Sequence, residues 1–344
     1  MNARAAILRA QNTPLVVEDI SLPPLAPGQV LVQLAYSGVC HTQLSEVRGR
    51  KGPDRYLPHT LGHEGSGIVL AIGADVRKVT IGDHVVVTWL KGSGADIPSA
   101  HYDCAQGHIN SGAVATFQSH ALISENRLVP IPRDVPLAAA ALLGCAVPTG
   151  AGIILNTFAL KPQQSLVIFG AGGVGLAAVI AAKASGAAPL IVVEPHAARR
   201  EKALALGATH ALDPHSSDIP TCVQALCGGA GADFALESAG LTATMEAAFQ
   251  VIRPGGTAVL AGNVGAGERI SIDPFDLIRG KRLLGSWGGD SQPDRDIPRY
   301  LAGMADGSMP FEQLLDREYP LEAINEALAN LTTTTVGRGM LTLS

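Results

Sequence analysis

Residues 165–194 read SLVIFGAGGVGLAAVIAAKASGAAPLIVVE, and this stretch decides the fold of the second half of the chain. An apolar run of strand character leads into a glycine-rich turn, which a small-residue helix and a second apolar run follow. The pattern G-x-G-x-x-G between a strand and a helix, with an acidic residue closing the next strand, is typical of a dinucleotide-binding turn. We therefore predict that phosphate groups bind over the start of this helix, where N–H groups without helical partners favour anions.

The three glycines of the G-x-G-x-x-G pattern each have a predicted task. Gly170 allows the tight turn, Gly172 lets the backbone approach a pyrophosphate, and Gly175 permits close packing of helix against strand. Glu194, which ends the second apolar run, can accept hydrogen bonds from ribose hydroxyls and would repel a 2′-phosphate. These features favour NAD over NADP, although the two arginines at 199–200 stand close enough in sequence to approach a phosphate.

Strands and helices continue to alternate beyond this stretch. Helical patterns over 198–208 and 242–252 separate short apolar runs, and 282–289 (RLLGSWGG) reads as a last strand. Such alternation is typical of a doubly wound parallel sheet with helices on both faces. The first 150 residues contain instead short β-rich runs punctuated by proline and glycine. The predicted fold class is therefore α/β, with a second domain rich in β-structure.

The end of the chain shapes the predicted domain limits. An amphipathic helix (LEAINEALANL) and a strand (GRGMLTLS) close the sequence and suggest a return to the first domain. We predict a catalytic domain over 1–146 with 288–344, and a nucleotide-binding domain over 147–287. Residues 88–112 have little periodicity and predict an extended surface loop.

Composition excludes several classes of protein. The 344 residues carry 25 Lys and Arg against 30 Asp and Glu, a net charge of −5, with no run of either sign. This balance argues against nucleic acid or an anionic membrane surface as a partner. Because 47% of the residues are hydrophobic and 16% are charged, disorder is excluded.

Hydrophobic segments and cysteine spacing indicate the cellular compartment. Two uncharged stretches, 135–160 and 162–182, are interrupted by glycine and polar residues, so we predict no membrane span. The first residues show no signal peptide, and five widely spaced cysteines do not suggest a disulfide framework. We expect a cytoplasmic protein.

Three short motifs in the first half carry metal-ligating side chains: Cys40-His41-Thr42, Gly62-His63-Glu64 and 144–150 (GCAVPTG). Zinc takes cysteine and histidine ligands, and three protein ligands leave a fourth position for water or substrate. Spacing alone does not establish a site, because the motifs lie far apart. Read singly, the cysteine at 145 is a small buried hydrophobe and the histidine at 63 a core residue.

Taken together, the motifs resemble those of the zinc-dependent medium-chain alcohol dehydrogenases. The matching stretches, in order along nearly the whole chain, are GVCHT, LGHEGSGIV, GDHVV, GCAVPTG, GAGGVGL and GRGML. The resemblance implies a GroES-like β-rich catalytic domain and a Rossmann coenzyme domain, with one catalytic zinc per chain and NAD. It also implies hydride transfer between a small alcohol and its aldehyde or ketone, by a homodimer or homotetramer.

The resemblance assigns roles to individual residues. It implies that Cys40, His63 and Cys145 bind zinc, that Glu64 lies beside the metal, and that Thr42 takes the substrate proton. The coenzyme contacts that it implies are His41 and Arg338 at the pyrophosphate, Val174 and Thr149 beside the nicotinamide, Arg199 near the adenosine, and the turn glycines Gly170, Gly172, Gly173 and Gly175. Bound zinc would act as a Lewis acid that lowers the pKa of a hydroxyl.

The sequence departs from this family in one whole segment. The family often carries a structural zinc held by four close cysteines after the GDHVV strand, but this region has only Cys104, so a four-cysteine site is excluded. Residues 101–108 (HYDCAQGH) still offer His, Asp and Cys side chains, without an established ligand spacing. We interpret them as a solvated loop.

Single positions depart as well. Gln43 stands where the family usually has an aspartate that accepts from the zinc-bound histidine, and Ser45 where a histidine often ends the proton relay. An amide raises the basicity of the ligand less than a carboxylate does, so we hypothesise that Gln43→Asp tightens zinc binding. Trp89 and Phe117 match positions that line the substrate pocket, although large aromatic residues also fill cores.

Alternative functions remain open at this point. A zinc-free NADPH quinone reductase of the same superfamily would not need the three zinc ligands or Glu194. A non-enzymatic cofactor-binding protein would not need the ligands and Thr42 together. A redox-neutral enzyme with permanently bound NAD is a further alternative, and the sequence does not identify the substrate.

Overall fold

The computed structural model describes residues 1–333 and 335–343, which form two compact units. The first contains Met1–Cys145, Gln292–Leu301 and the described residues from Leu315 onward, and the second contains Ala146–Ser291 and Ala302–Leu314. The predicted domains differ from this division at 146, 288–291 and 302–314, which the prediction had assigned to the catalytic domain. Residues 302–314 pack with the second unit because two of their apolar side chains, at 311 and 314, are fully buried beside the helix at 173–184.

The strands of the described residues are, in chain order, β1 (Asn2–Leu8), β2 (Val16–Ser21), β3 (Gln29–Gly38), β4 (His59–Thr60), β5 (Glu64–Ile72), β6 (His84–Thr88), β7 (His101–Cys104), β8 (Gly107–Asn110), β9 (His120–Ser124), β10 (Leu128–Ile131), β11 (Leu166–Phe169), β12 (Leu190–Val193), β13 (His210–Leu212), β14 (Ala232–Glu237), β15 (Ile252–Leu260), β16 (Arg282–Gly285), β17 (Leu315–Pro320) and β18 (Arg338–Thr342).

The α-helices are α1 (His41–Val47), α2 (Leu137–Ala141), α3 (Ala146–Gly152), α4 (Gly173–Ala184), α5 (Ala197–Leu206), α6 (Ile219–Leu226), α7 (Thr242–Gln250), α8 (Pro274–Ile278), α9 (Pro293–Ala305) and α10 (Ile324–Asn330). Short 3-10 turns cover Glu125–Arg127, Leu142–Gly144, Gly288–Asp290, Phe311–Leu314 and Leu321–Ala323, and a π-turn covers Ile153–Thr157.

The second unit is a six-stranded parallel sheet in the order β13-β12-β11-β14-β15-β16. All four residues of both β11 and β12 are buried, as expected for strands that helices cover on both faces. This strand order is that of a dinucleotide-binding sheet, whose ligands bind at the carboxyl ends of the strands. The predicted α/β class with a doubly wound parallel sheet is confirmed.

The first unit combines a closed barrel, β1-β2-β7-β8-β4, with a seven-stranded sheet in which β3 is central. Strand β3 pairs antiparallel with β5, β9 and β18. The register sets Ser37 opposite Gly65 and Gly38 opposite Met340, so the end of β3 meets the starts of β5 and β18. This junction brings together three of the motifs that the sequence analysis singled out.

The predicted extended loop over 88–112 is wrong for residues 101–110, which form the hairpin β7–β8. Each strand of the hairpin directs one large apolar side chain inward, Tyr102 and Ile109, and both are 1% exposed. One buried side chain per short strand is too weak a periodicity to predict a strand, so the hairpin depends on the barrel core that receives it.

No single helix of the described residues is long and apolar enough to cross a membrane. One bent pair, Leu137–Gly144 with Ala146–Thr157, reaches the required length and composition jointly, as core helices of other proteins also do.

Candidate active site

Three metal-ligating side chains converge in the first unit. The sulfur atoms of Cys40 and Cys145 and a ring nitrogen of His63 all lie within 4.8 Å of one another. His63 Nε2 is 3.1 Å from Cys145 Sγ, so this nitrogen faces the thiol. In the part of the chain that the structure describes, no other group of three or more His, Cys, Asp or Glu side chains is placed to share a metal ion.

The ends of strands and helices position these three ligands. Cys40 is the N-cap of α1, just after β3, while His63 directly precedes β5 and Cys145 follows a short 3-10 turn. Gly62 adopts a φ of +91°, which an L side chain rarely adopts, and so turns the chain into β5. A Cβ on Gly144 would lie 2.8 Å from the Cα atom of the first residue of β5, so only glycine lets these segments approach.

A buried ion pair lies beside the ligands. Arg338 donates to Glu64 Oε1 from Nε at 2.6 Å and also from Nη2. The two residues are 4% and 0% exposed, and a buried charge needs such a partner. Burial raises the pKa of Glu64 although the charge of Arg338 acts in the opposite direction. Burial opposes the charge on Arg338, but Cys40 and Glu64 outweigh it and raise the pKa of the guanidinium.

The pKa values of the two thiols are shifted in opposite directions. A hydrogen bond with Cys145, helped by the charge of Arg338, lowers the pKa of Cys40 well below its usual range despite burial. The same hydrogen bond, together with burial and the charge of Glu64, raises the pKa of Cys145 well above its usual range. Two thiols and one imidazole are the donors that zinc prefers, and a bound cation favours the thiolate form. The donor set therefore fits zinc.

Gln43 links two of the three ligands. Its side chain is 1% exposed, and Oε1 accepts the Cys40 N–H at 3.1 Å while Nε2 contacts His63 Nδ1. The amide thus caps the start of α1 and orients the imidazole ring at the same time.

The remaining predicted residues of α1 lie around the ligands. Thr42 Oγ1 is 3.6 Å from Cys40 Sγ, within the first turn of the helix. His41 is exposed at the helix start and Ser45 is half-buried in the next turn.

The two aromatic residues predicted to line the substrate pocket have different surroundings. Trp89 is half-buried just after β6, and its carbonyl accepts a hydrogen bond from Arg127 Nη1. Phe117 is fully buried in a hydrophobic cluster that includes Leu44 and Leu61. The structure corrects the prediction for Phe117, because a ring enclosed by aliphatic side chains fills the core instead of lining a pocket.

In the second unit, the glycine-rich turn joins β11 to α4 as predicted from its pattern. Gly170 has a φ of +94°, and a Cβ on Gly175 would clash with the Gly170 carbonyl oxygen. A Cβ on Gly172, the N-cap of α4, would meet no atom within 4 Å. Gly173 begins the helix. The turn thus combines a tight backbone with open space where an anion can approach the helix start.

Glu194 follows β12 and is 3% exposed. One oxygen, Oε2, accepts the Ala171 N–H of the turn at 2.9 Å, and Oε1 accepts from His196 N at 3.0 Å and lies 2.7 Å from His196 Nδ1. Arg200 pairs with Asp213 at 3.1 Å. The carboxylate is therefore fixed next to the turn, with one oxygen on the turn backbone and the other on His196.

Other predicted coenzyme residues lie near the same turn or beside it in the chain. Thr149 is buried in α3 and Val174 half-buried in the first turn of α4. The two helices approach so closely that a Cβ on Gly150 would clash with the Val174 carbonyl oxygen. Arg199 is half-buried in the first turn of α5. Arg338, predicted at the pyrophosphate, lies in the first unit with Glu64.

The hairpin that replaces the cysteine-rich segment does not gather its ligands. His108 Nδ1 pairs with Asp103 at 2.5 Å on the surface, whereas Cys104 Sγ accepts from Arg9 Nη2 at 3.4 Å. We therefore interpret these side chains as surface and barrel contacts.

Comparisons with known proteins agree with this geometry. Residues 26–133 match the family model of the alcohol dehydrogenase GroES-like domain, and residues 173–306 match that of zinc-binding dehydrogenases. The chain is 37% identical to a geraniol dehydrogenase of Castellaniella defragrans, over 95% of this chain and 94% of that protein. The chain belongs to the zinc-dependent medium-chain alcohol dehydrogenase family.

Solved structures support the same assignment. An alcohol dehydrogenase zinc-binding domain protein from Burkholderia ambifaria aligns with a TM-score of 0.92 at 33% identity, covering 100% of this chain and 99% of that one. A benzyl alcohol dehydrogenase from Acinetobacter calcoaceticus aligns with a TM-score of 0.91 at 28% identity, covering 100% of both chains. The predicted family and oxidoreductase class are confirmed.

Two features of this alcohol dehydrogenase were missed from sequence. The Glu64–Arg338 pair joins residues 274 positions apart, and no local pattern connects an acid after a histidine to an arginine near the end of the chain. The double contact of Gln43 was also not predicted, because it depends on the direction of one amide group.

Proposed function

We propose that this chain is an NAD-dependent zinc alcohol dehydrogenase that interconverts an alcohol and its aldehyde or ketone. The convergence of Cys40, His63 and Cys145 carries the proposal, because three protein ligands are typical of catalytic zinc and leave one position for substrate. Zinc held there would supply Lewis-acid activation by lowering the pKa of the substrate hydroxyl.

Side chains of this chain would accept and pass on the proton of the substrate hydroxyl. The hydroxyl of Thr42, beside Cys40, can accept the proton of an alcohol and donate its own onward, since a hydroxyl both donates and accepts. The buried pair of Glu64 and Arg338 places opposite charges next to the thiols. Gln43 restrains the ring of His63.

The choice of NAD over NADP rests on the surroundings of the glycine-rich turn. The buried carboxylate of Glu194 is fixed beside the turn, where it would oppose the charge of a 2′-phosphate. Arg200 is engaged by Asp213, which leaves it poorly placed to bind that phosphate. A ratio of kcat/KM for NAD over NADP above about 10 supports this part of the proposal, and a ratio below one contradicts it.

For the substrate we propose a primary alcohol on an apolar, unsaturated or aromatic body. The similarity to a geraniol dehydrogenase and to a benzyl alcohol dehydrogenase supports this class. The half-buried Trp89, just after β6, provides a bulky apolar surface of the kind that such a body would contact. Geraniol and benzyl alcohol are expected to give a higher kcat/KM than ethanol.

We propose that the chain assembles as a homodimer or larger homo-oligomer through the second unit. Strand β16 lies at the edge of the parallel sheet, and the large apolar side chains Ile278, Leu284 and Trp287 near it are 77%, 46% and 77% exposed. An open strand edge flanked by exposed apolar groups favours pairing with another chain. Light scattering after gel filtration tests this, and Leu284→Lys is expected to shift the mass toward one chain.

The deciding experiment is elemental analysis of zinc, on the wild type and on Cys145→Ser, with Cys227→Ser as the control for loss of a thiol elsewhere. We expect about one zinc per chain in the wild type and in the control, and far less in Cys145→Ser. NADH formation from geraniol should follow the zinc content. A wild type without zinc, not restored by added metal, would contradict the proposed mechanism and favour a zinc-free reductase.

A further inference from the structure

One amide group serves two partners at the candidate zinc site. Gln43 Oε1 accepts the Cys40 N–H at 3.1 Å, and Gln43 Nε2 contacts His63 Nδ1. Gln43 is 1% exposed and Cys40 is 9% exposed, so bulk water is a poor substitute for either contact. The arrangement of donors and acceptors at this amide therefore matters for both residues.

Zinc ligation imposes a requirement on His63. Its Nε2 is the nitrogen that faces Cys145 Sγ, at 3.1 Å, and a histidine that binds metal through Nε2 carries its proton on Nδ1. That Nδ1–H needs an acceptor. The group that now contacts it is the amide nitrogen of Gln43, which can only donate.

Turning the amide over does not remove the conflict. The oxygen would then accept from His63 Nδ1–H, but the NH2 group would face the Cys40 N–H, and both groups are donors. A single amide oxygen is thus required by two donors that lie on different sides of the side chain. A carboxylate at the same place offers two acceptor oxygens and serves both donors.

We propose that Gln43 is a positioning residue that weakens zinc binding in this chain, because its one acceptor oxygen cannot serve Cys40 and a zinc-ligating His63 together. The inference rests on the proposed zinc function. It makes the metal easier to remove than a carboxylate at position 43 would, and it assigns the cause to the count of acceptors. Two other causes could change zinc affinity in a variant at position 43, namely added charge near the site and altered packing of the side chain. The test separates both from the count of acceptors.

The test compares zinc dissociation constants by competition with a chromogenic chelator, using the full chain stripped of metal and refilled with zinc. Gln43→Glu keeps the length of the side chain and replaces the NH2 group with a second acceptor. We expect it to bind zinc roughly 10- to 100-fold more tightly than the wild type and to lose zinc more slowly to excess chelator. Gln43→Asp provides a second carboxylate variant in case the longer one does not fold.

Ser45→Asp is the matched control for charge. It adds the same charge to the same helix, two positions along, whereas the ring nitrogens of His63 contact Gln43 and Cys145. We expect its zinc affinity to stay within about threefold of the wild type. Unfolding midpoints of the metal-free variants report on packing, and we expect Gln43→Glu to change zinc affinity far more than it changes this midpoint.

Two results would overturn the inference alone, and a third would overturn the proposed function as well. Folded Gln43→Glu and Gln43→Asp that bind zinc no more tightly than a zinc-binding wild type would show that the acceptor count does not limit affinity. An equal gain in Ser45→Asp would assign the effect to charge. A wild type that binds no zinc at all would overturn the proposed function itself and this inference with it, so the two failures are distinguishable.

Discussion

The carboxylate of Glu125 binds backbone groups on both sides of β6, and its removal gives a specific prediction. Oε1 accepts the backbone N–H groups of Arg77 and Lys78, both at 2.5 Å, and Oε2 accepts that of Ala95 at 2.9 Å. Glu125 is 3% exposed. The buried carboxylate thus links residues 77–78, which precede β6, to the segment that follows this strand.

The expected cost of Glu125→Gln follows from these contacts. The amide oxygen can still accept two N–H groups, but without the charge that makes such bonds roughly twice as strong. The NH2 group meets the third donor and leaves it unsatisfied, which alone costs about 1–3 kcal/mol when buried. We expect a total of about 3 kcal/mol, or a fall in Tm of roughly 6–12 °C.

The assay is thermal unfolding, combined with hydrogen exchange of the peptide that covers 91–97. Glu46→Gln is the control, because that carboxylate is partly exposed and pairs with Lys51 at the surface, where such pairs contribute about 0–1 kcal/mol. Equal Tm values for Glu125→Gln and Glu46→Gln, with unchanged exchange over 91–97, would refute the reasoning.

The pH dependence has a definite sign. Burial works against the charge of Glu125, but the three backbone donors lower its pKa below the usual value. Its stabilisation is therefore fully present above about pH 4.3, the value of an unfolded glutamate, and is lost as the pH falls through the folded pKa. The Tm difference between wild type and Glu125→Gln should shrink below about pH 4.

Three further predictions concern the active site. Thr42→Val should lower kcat by about 10²–10⁴-fold with unchanged zinc content, whereas Thr42→Ser retains activity; a threefold loss in the valine variant would exclude a role in proton transfer. In Gly172→Ala the new Cβ enters the open space where the pyrophosphate is predicted, so Tm should stay unchanged while NAD binding, measured by fluorescence titration, weakens. In Gly175→Ala the new Cβ clashes with the Gly170 carbonyl oxygen, so Tm should fall. Arg338→Met removes the cation that pairs with the buried Glu64 carboxylate, which should cost about 3–5 kcal/mol in urea unfolding, and adding Glu64→Gln should recover part of this loss.

Much of the second unit could be predicted because its signals are local. The run from β11 through the turn to α4 and β12 has a continuous apolar strand, a glycine pattern and a helix in register, each set by neighbouring residues. The short strands β7 and β8 could not be predicted in the same way. Their single inward side chains, Tyr102 and Ile109, become informative only when the barrel core is present.

The sequence by itself determined the family, the parallel sheet and the identity of the residues that could bind zinc and NAD, because these depend on residue types and on spacing along the chain. Only the tertiary structure brought Cys40, His63 and Cys145 within 4.8 Å of one another, joined Glu64 to Arg338, and enclosed a predicted pocket residue in the core. It also decided that one amide at position 43 contacts both the Cys40 N–H and the imidazole ring of His63. The physical reason is that strand pairing and side-chain packing bring together residues between which the sequence carries no local signal.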